Sequence, residues 1–139
     1  MLTPEIIATR EATLGAHLEG ETNKDVDMVL DTFAGEPKYD LVPSGIVITG
    51  RENVGKFLQT FYDSMGPNTH LGEAMYHTDD ATIVEVKTIF PGGFSGEDDY
   101  LEVFSVGIFL FDGDKLLCEK LYADASPLLP FMPWLTESA

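Results

Sequence analysis

Positive charge is scarce in this chain. Lysine and arginine number 8 against 24 aspartates and glutamates, a net charge of −16 with the histidines neutral. A surface of that sign repels phosphate backbones and anionic lipid head groups, which argues against nucleic acid and membranes as partners. Cysteine is nearly missing: Cys118 stands alone, so no internal disulfide can form. The opening MLTPEIIATREATL carries acidic residues and no basic n-region, and no apolar run approaches the ~20 residues that cross a bilayer. A cytoplasmic location is the expectation. Nucleotide and triad motifs are missing as well. GGFSGE (92–97) lacks the Lys and Ser/Thr of a phosphate loop, its serine is not in a G-x-S-x-G context, and no G-x-G-x-x-G follows a strand.

What is present fits one domain over residues 1–139. The chain is 44% hydrophobic and long enough to bury roughly 70% of its unfolded surface. TPEII opens a first helix, with Thr3 as cap and Pro4 at the first helical position. NKDVDMVLDTF (23–33) reads as a second helix capped by Asn23, with Val26, Val29, Leu30 and Phe33 on one stripe. KYDLVPSGIVIT is a hairpin turning at Pro43-Ser44-Gly45. TGRENVGKFLQTFYDSM is a third helix, with Thr49 and Glu52 at capping-box spacing. The period then becomes strand-like over 69–78, 82–90, 100–111 and 115–124, with Asp112-Gly113 as a hairpin signal and 91–99 as an acidic loop. The tail SPLLPFMPWL is too apolar to be left in water. Three helices, a hairpin and an antiparallel meander predict an α+β fold, its helices gathered on one face of a curved sheet.

The words HLEGETNKDVDMVLDTF, YDLVPSG, TGRENVGKFLQTFY and IFLFDGDKLLCEKLYAD, in that order, resemble the nuclear transport factor 2-like superfamily, and within it the SnoaL-like polyketide-cyclase group. The resemblance covers about residues 10 to 130. It implies a cone-shaped, cystatin-like α+β barrel whose antiparallel or mixed sheet wraps around three N-terminal helices, with an apolar cavity and commonly a homodimer. The superfamily hosts isomerases, cyclases, epoxide hydrolases, dehydratases and non-catalytic binders, so it implies no single reaction.

By that similarity Asp124 takes the place of a cavity-facing acid or base on the last strand, where an apolar setting would raise its pKa. Alternation puts Cys118, Lys120, Tyr122 and Asp124 on one face of that strand, and Glu119, Leu121 and Ala123 on the other. His17 falls where ketosteroid isomerases place an oxyanion-binding tyrosine on the first helix, so it becomes the polar partner. The rest of the isomerase pattern is missing. Leu41 stands where the base would be, with Asp40 one residue away, and Gly107 stands where the second oxyanion donor would be. Arg10 and Arg51 sit wrongly for an epoxide-hydrolase site. His70 and His77 lie an odd number apart on one strand, hence on opposite faces unless a bulge intervenes, and remain weaker candidates. A His70, Glu73, His77 metal set is scattered by the strand period, and no metal is expected.

Tyr39, Leu41 and Tyr122 are the expected substrate-binding walls, with Phe131 and Trp134 closing the cavity mouth. The function that follows is a cofactor-independent cyclase, isomerase or lyase. It would act by acid–base catalysis on an apolar, carbonyl-bearing polyketide-, terpenoid- or steroid-like compound. The alternative is a non-catalytic ligand-binding or dimerisation module on the same fold.

Overall fold

The computed structural model describes residues 1–123; Asp124, Phe131 and Trp134 lie outside the described residues. Thr3 starts α1 (Pro4–Thr22), its hydroxyl accepting the Ile6 amide at 3.2 Å, and Pro4 sits where a missing N–H costs nothing. The buried stripe of α1 is Arg10, Leu14, His17 and Gly20, so two of its inward side chains are ionisable. At Gly20 a Cβ would stand 2.8 Å from a Val29 methyl, and α2 packs on bare backbone there.

That second helix, α2 (Val26–Leu30), is shorter than the sequence suggests. Asp25 caps it in place of Asn23, accepting the Met28 amide at 3.1 Å, while Asn23 closes the end of α1. The expected capping box of α3 (Arg51–Ser64) does not form either. Gly50 precedes the helix at φ 89, a conformation glycine adopts readily, and Thr49 stays in a strand. The inward stripe of α3 is Val54, Phe57, Leu58 and Tyr62.

Six strands form one sheet: β1 (Lys38–Leu41), β2 (Ile46–Thr49), β3 (Thr69–His77), β4 (Ala81–Phe90), β5 (Leu101–Asp112) and β6 (Lys115–Tyr122). Their order is β2-β1-β6-β5-β4-β3, antiparallel except for the parallel β1–β6 pair. The sheet is mixed and open, with β2 and β3 as its edges, rather than a closed barrel.

Two bulges re-aim side chains. In β3 the register shifts between Gly72 and Ala74, which cancels the odd spacing of His70 and His77. Both histidines consequently meet α1, His70 near Glu21 and His77 near Glu11. In β6 the partner of Leu110 is Cys118 and that of Phe111 is Leu116, leaving Leu117 unpaired and 45% exposed. Leu116 and Glu119, three residues apart, are thereby both buried. The core gathers Leu14, Val29, Phe33, Tyr39, Val54, Phe57, Val84, Phe109 and Leu116 between helices and sheet.

Candidate functional site

A cavity of about 150 Å³ lies between α1, α3 and one face of the sheet. Leu18, Phe57, Phe61, Val86, Phe90 and Phe109 give it apolar walls; Glu21, Glu119, Tyr39, Tyr62 and His70 are among its polar residues, with Ser44, Thr88 and Ser105. From β6 and the residue beyond it, the wall takes Glu119, Leu121 and Ala123. The opposite face of β6 points away. Tyr122, expected on the cavity wall, is 42% exposed on the outer surface beside Glu73, Glu85 and Phe104, because its neighbours of the opposite parity own the interior.

The polar groups converge on His17, which is fully buried and stands behind the cavity wall rather than in it. Its ring packs edge-on to Phe33 and Phe109, with centroids 5.9 and 5.5 Å apart. Nδ1 lies 2.9 Å from Thr32 Oγ1, and the Thr32 hydroxyl donates to the Val29 carbonyl at 2.6 Å. With its one proton committed there, Thr32 can only accept from His17, so Nδ1 carries hydrogen. Nε2 meets Glu119 Oε1 at 3.2 Å, Glu21 Oε1 at 3.3 Å and the Tyr39 hydroxyl at 3.3 Å. A bare lone pair facing two carboxylates would be repelled; a second proton is attracted by both. These contacts favour the imidazolium form of His17. Burial opposes that charge, but Glu21 and Glu119 outweigh it and raise the pKa from 6.5 to about 10.

The two carboxylates are not equivalent. Burial pushes both up. At Glu21 the positive charges of His17 and His70 overcome it and hold the carboxyl below its ordinary value. At Glu119, whose side chain is 5% exposed, burial and repulsion from Glu21 win over the hydrogen bond from His17, and the pKa is raised. Burial and the two carboxylates push the Tyr39 and Tyr62 hydroxyls upward, so both stay protonated as donors. Glu21 also reaches His70, at 3.7 Å. One ionised acid, one imidazolium and one acid with heightened affinity for a proton thus share the inner end of the cavity.

His17 Nε2 and one oxygen from each of Glu21 and Glu119 lie within 4.8 Å of one another, a donor set that could hold a metal ion. In the charge state described, the proton on Nε2 occupies the point between them.

Among the other expected residues, Leu41 and His70 line the cavity, and Tyr39 both lines it and reaches His17. Asp40 is not on the wall; it pairs with Lys120 in the β1–β6 register. His77 Nδ1 contacts Thr82 Oγ1 at 2.8 Å, and its Nε2 lies 3.4 Å from Glu11, away from the cavity. At Gly107 a Cβ would meet the Phe109 ring at 2.5 Å, so that ring fills the space a side chain would need. The residues that sequence reasoning passed over are Glu21, Glu119 and Tyr62. The i, i+4 spacing of His17 and Glu21 on α1 was the available signal.

No family model and no curated protein matches the chain. Solved structures do. A protein with a ketosteroid isomerase-like fold from Catenulispora acidiphila, in complex with trimethylamine, superposes at TM-score 0.71 with 19% identity, over 93% of this chain and 92% of that one. An NTF2-like protein from Anabaena variabilis gives 0.72 at 14% identity, over 88% and 93%. A SnoaL-like polyketide cyclase of Jannaschia, itself assigned only by resemblance, gives 0.69 at 14%, over 93% and 94%. At such identities the likeness speaks for architecture alone: this chain has the nuclear transport factor 2-like fold.

Proposed function

We propose that the protein is a cofactor-independent acid–base enzyme acting on an apolar, carbonyl-bearing small molecule, with Glu119 as the proton-transferring group. One observation carries the reading: a carboxyl with raised proton affinity faces an apolar cavity while its Oε1 rests 3.2 Å from a buried imidazolium. A carboxyl whose pKa is raised above its solution value is a better base once ionised, and apolar walls keep competing water away.

In its ionised form Glu119 takes a proton from the carbon beside the carbonyl, and the electron pair moves onto the carbonyl oxygen. Return of that proton to another carbon is isomerisation. Attack by the carbanionic carbon on a second carbonyl is cyclisation, and departure of a β-substituent is elimination. His17 acts from behind the wall and Glu21 from the wall itself. The imidazolium holds Glu119 in place and limits the cost of its charge, while Glu21 keeps the imidazole protonated. Leu18, Phe57, Phe61 and Phe109 bind the apolar body.

Proton exchange tests this without knowledge of the natural substrate. A panel of ketones in deuterated buffer, followed by proton NMR, should lose signal next to the carbonyl faster with the protein than without it. Glu119→Gln should abolish the acceleration. If Asp124→Asn abolishes it and Glu119→Gln does not, Asp124 is the acting group. Ketones that bind without exchanging favour the binding-module alternative, and exchange that depends on an added divalent cation transfers the chemistry to a metal held by His17, Glu21 and Glu119.

A further inference from the structure

Among the described residues, the cavity wall carries two carboxylates and no lysine or arginine. Its one basic residue is His70, whose Nε2 lies 3.7 Å from Glu21 Oε2, while Glu21 Oε1 lies 3.3 Å from His17 Nε2. Glu21 thus stands between two histidines. Glu119 has only a share in His17, through Oε1 at 3.2 Å, and its Oε2 makes no hydrogen bond or ion pair with a described residue. Glu119 projects from the inner face of β6, which has β1 on one side and β5 on the other, and with Leu121 and Ala123 it forms part of the wall. Its side chain is 5% exposed, and the cavity is the open space it meets. The arrangement is short of positive charge at Glu119. The raised proton affinity of that carboxyl reports the same shortage.

We infer that the cavity binds an apolar amine, its ammonium paired with the Glu119 carboxylate and its hydrocarbon body among the phenylalanines. Phe57, Phe61, Phe90 and Phe109 line the wall, and aromatic faces attract a cation as well as apolar groups. A void of about 150 Å³ with apolar walls accommodates one six-membered ring, which sets the size of that body. Of the other charged groups at that end, Glu21 adds attraction from α1, His70 on β3 is turned to Glu21, and His17 stands behind the wall. The proton and the ammonium compete for the same carboxyl, so a bound amine holds Glu119 ionised and withdraws it from any carbonyl compound. The inference therefore goes beyond the acid–base reading: amines occupy the site without reacting there, and they stop proton exchange.

Benzylamine and benzyl alcohol are the probes, alike in shape and differing in one charge. Ligand-observed NMR titrations in about 0.5 M sodium chloride screen attraction to the acidic outer surface far more than attraction to a buried carboxylate. Wild type should bind benzylamine about tenfold more tightly than benzyl alcohol. Glu119→Gln should bring the two affinities together, whereas Glu85→Gln, at an exposed acid of β4, should leave the tenfold preference in place. With ketone held below saturation, benzylamine should also suppress proton exchange, half of it at the amine's own dissociation constant. Equal wild-type affinities, a preference that survives Glu119→Gln, failure of both probes to bind, or exchange undiminished at saturating benzylamine each overturn the inference and leave the acid–base reading intact. A wild type that exchanges no ketone sinks the acid–base reading, and the titrations still decide on the amine. If Glu119→Gln does not fold, the wild-type affinities decide together with the His17 ring nitrogen signals, which should move when benzylamine is added and stay still if it binds elsewhere.

Discussion

Helix α1 buries two ionisable side chains on one stripe, Arg10 and His17, two turns apart, and the protein treats them in opposite ways. Arg10 is held by backbone through its two terminal nitrogens, while its Nε finds no partner among the described residues. Its guanidinium donates to the carbonyls of Thr78, Asp79 and Ala81, at 2.6, 2.5 and 3.1 Å, and stacks 5.1 Å over Phe111. Those carbonyls belong to the β3–β4 turn and the start of β4. They cannot change protonation state, so this end of the helix acts as a clasp. Apart from Thr32, His17 is satisfied by side chains that do titrate, and all three of these, Glu21, Tyr39 and Glu119, line a cavity. The contrast separates a buried charge that stabilises the fold from one that tunes a neighbour.

The largest expected effect is on chemistry. Glu119→Gln should reduce ketone proton exchange by about 1000-fold while changing unfolding free energy by no more than about 1 kcal/mol, because the amide still accepts from His17. Arg10→Met should do the converse. It keeps the apolar stem but takes the guanidinium from the Thr78 and Asp79 carbonyls, while that of Ala81 keeps the Thr78 amide, and should cost about 3 kcal/mol in urea unfolding with exchange per folded molecule unchanged. If Arg10→Met lowered exchange in the folded fraction, the division between clasp and site would fail.

His17→Gln joins the two readouts. Exchange should fall about tenfold, and the pH at which Glu119 ionises should move upward, because the positive charge that favoured its ionised form is gone. Stability tests the same charge from the other side. The folded pKa of His17 is raised from 6.5 to about 10. Its contribution is therefore fully present below pH 6.5 and is lost as pH climbs from there through about 10. Wild-type unfolding midpoints should decline over that window, and those of His17→Gln should be flatter. The smallest effect belongs to the outer face of β6. Tyr122→Ala should leave exchange within about twofold and stability within about 0.5 kcal/mol.

Much of the architecture was legible because hydrophobic periodicity changes sharply after α3, and because Thr3-Pro4 and Asp112-Gly113 are strong local signals. The caps at Asn23 and Thr49 were misleading. Tertiary packing places Asn23 at the end of α1, and Gly50 with its positive φ supplies the entry to α3. For the site, His17, Tyr39, Leu41 and His70 could be read as pocket candidates. Glu21 was signalled only by its i, i+4 spacing from His17, a weak cue because an acid on a helix usually faces solvent. The two bulges hid more. A period-2 rule cannot know that Glu73 drops out of the β3 register, or that the irregularity at Leu117 buries both Leu116 and Glu119.

Everything proposed for Glu119 depends on the charge of the imidazole behind it. Nitrogen-15 NMR of the His17 ring, recorded from pH 6 to pH 11 on ligand-free protein, measures that charge directly. The account predicts hydrogen on both ring nitrogens through neutral pH, with the second proton leaving only near pH 10. A His17 ring that is neutral at pH 7, or one that titrates near the ordinary histidine value, would contradict it.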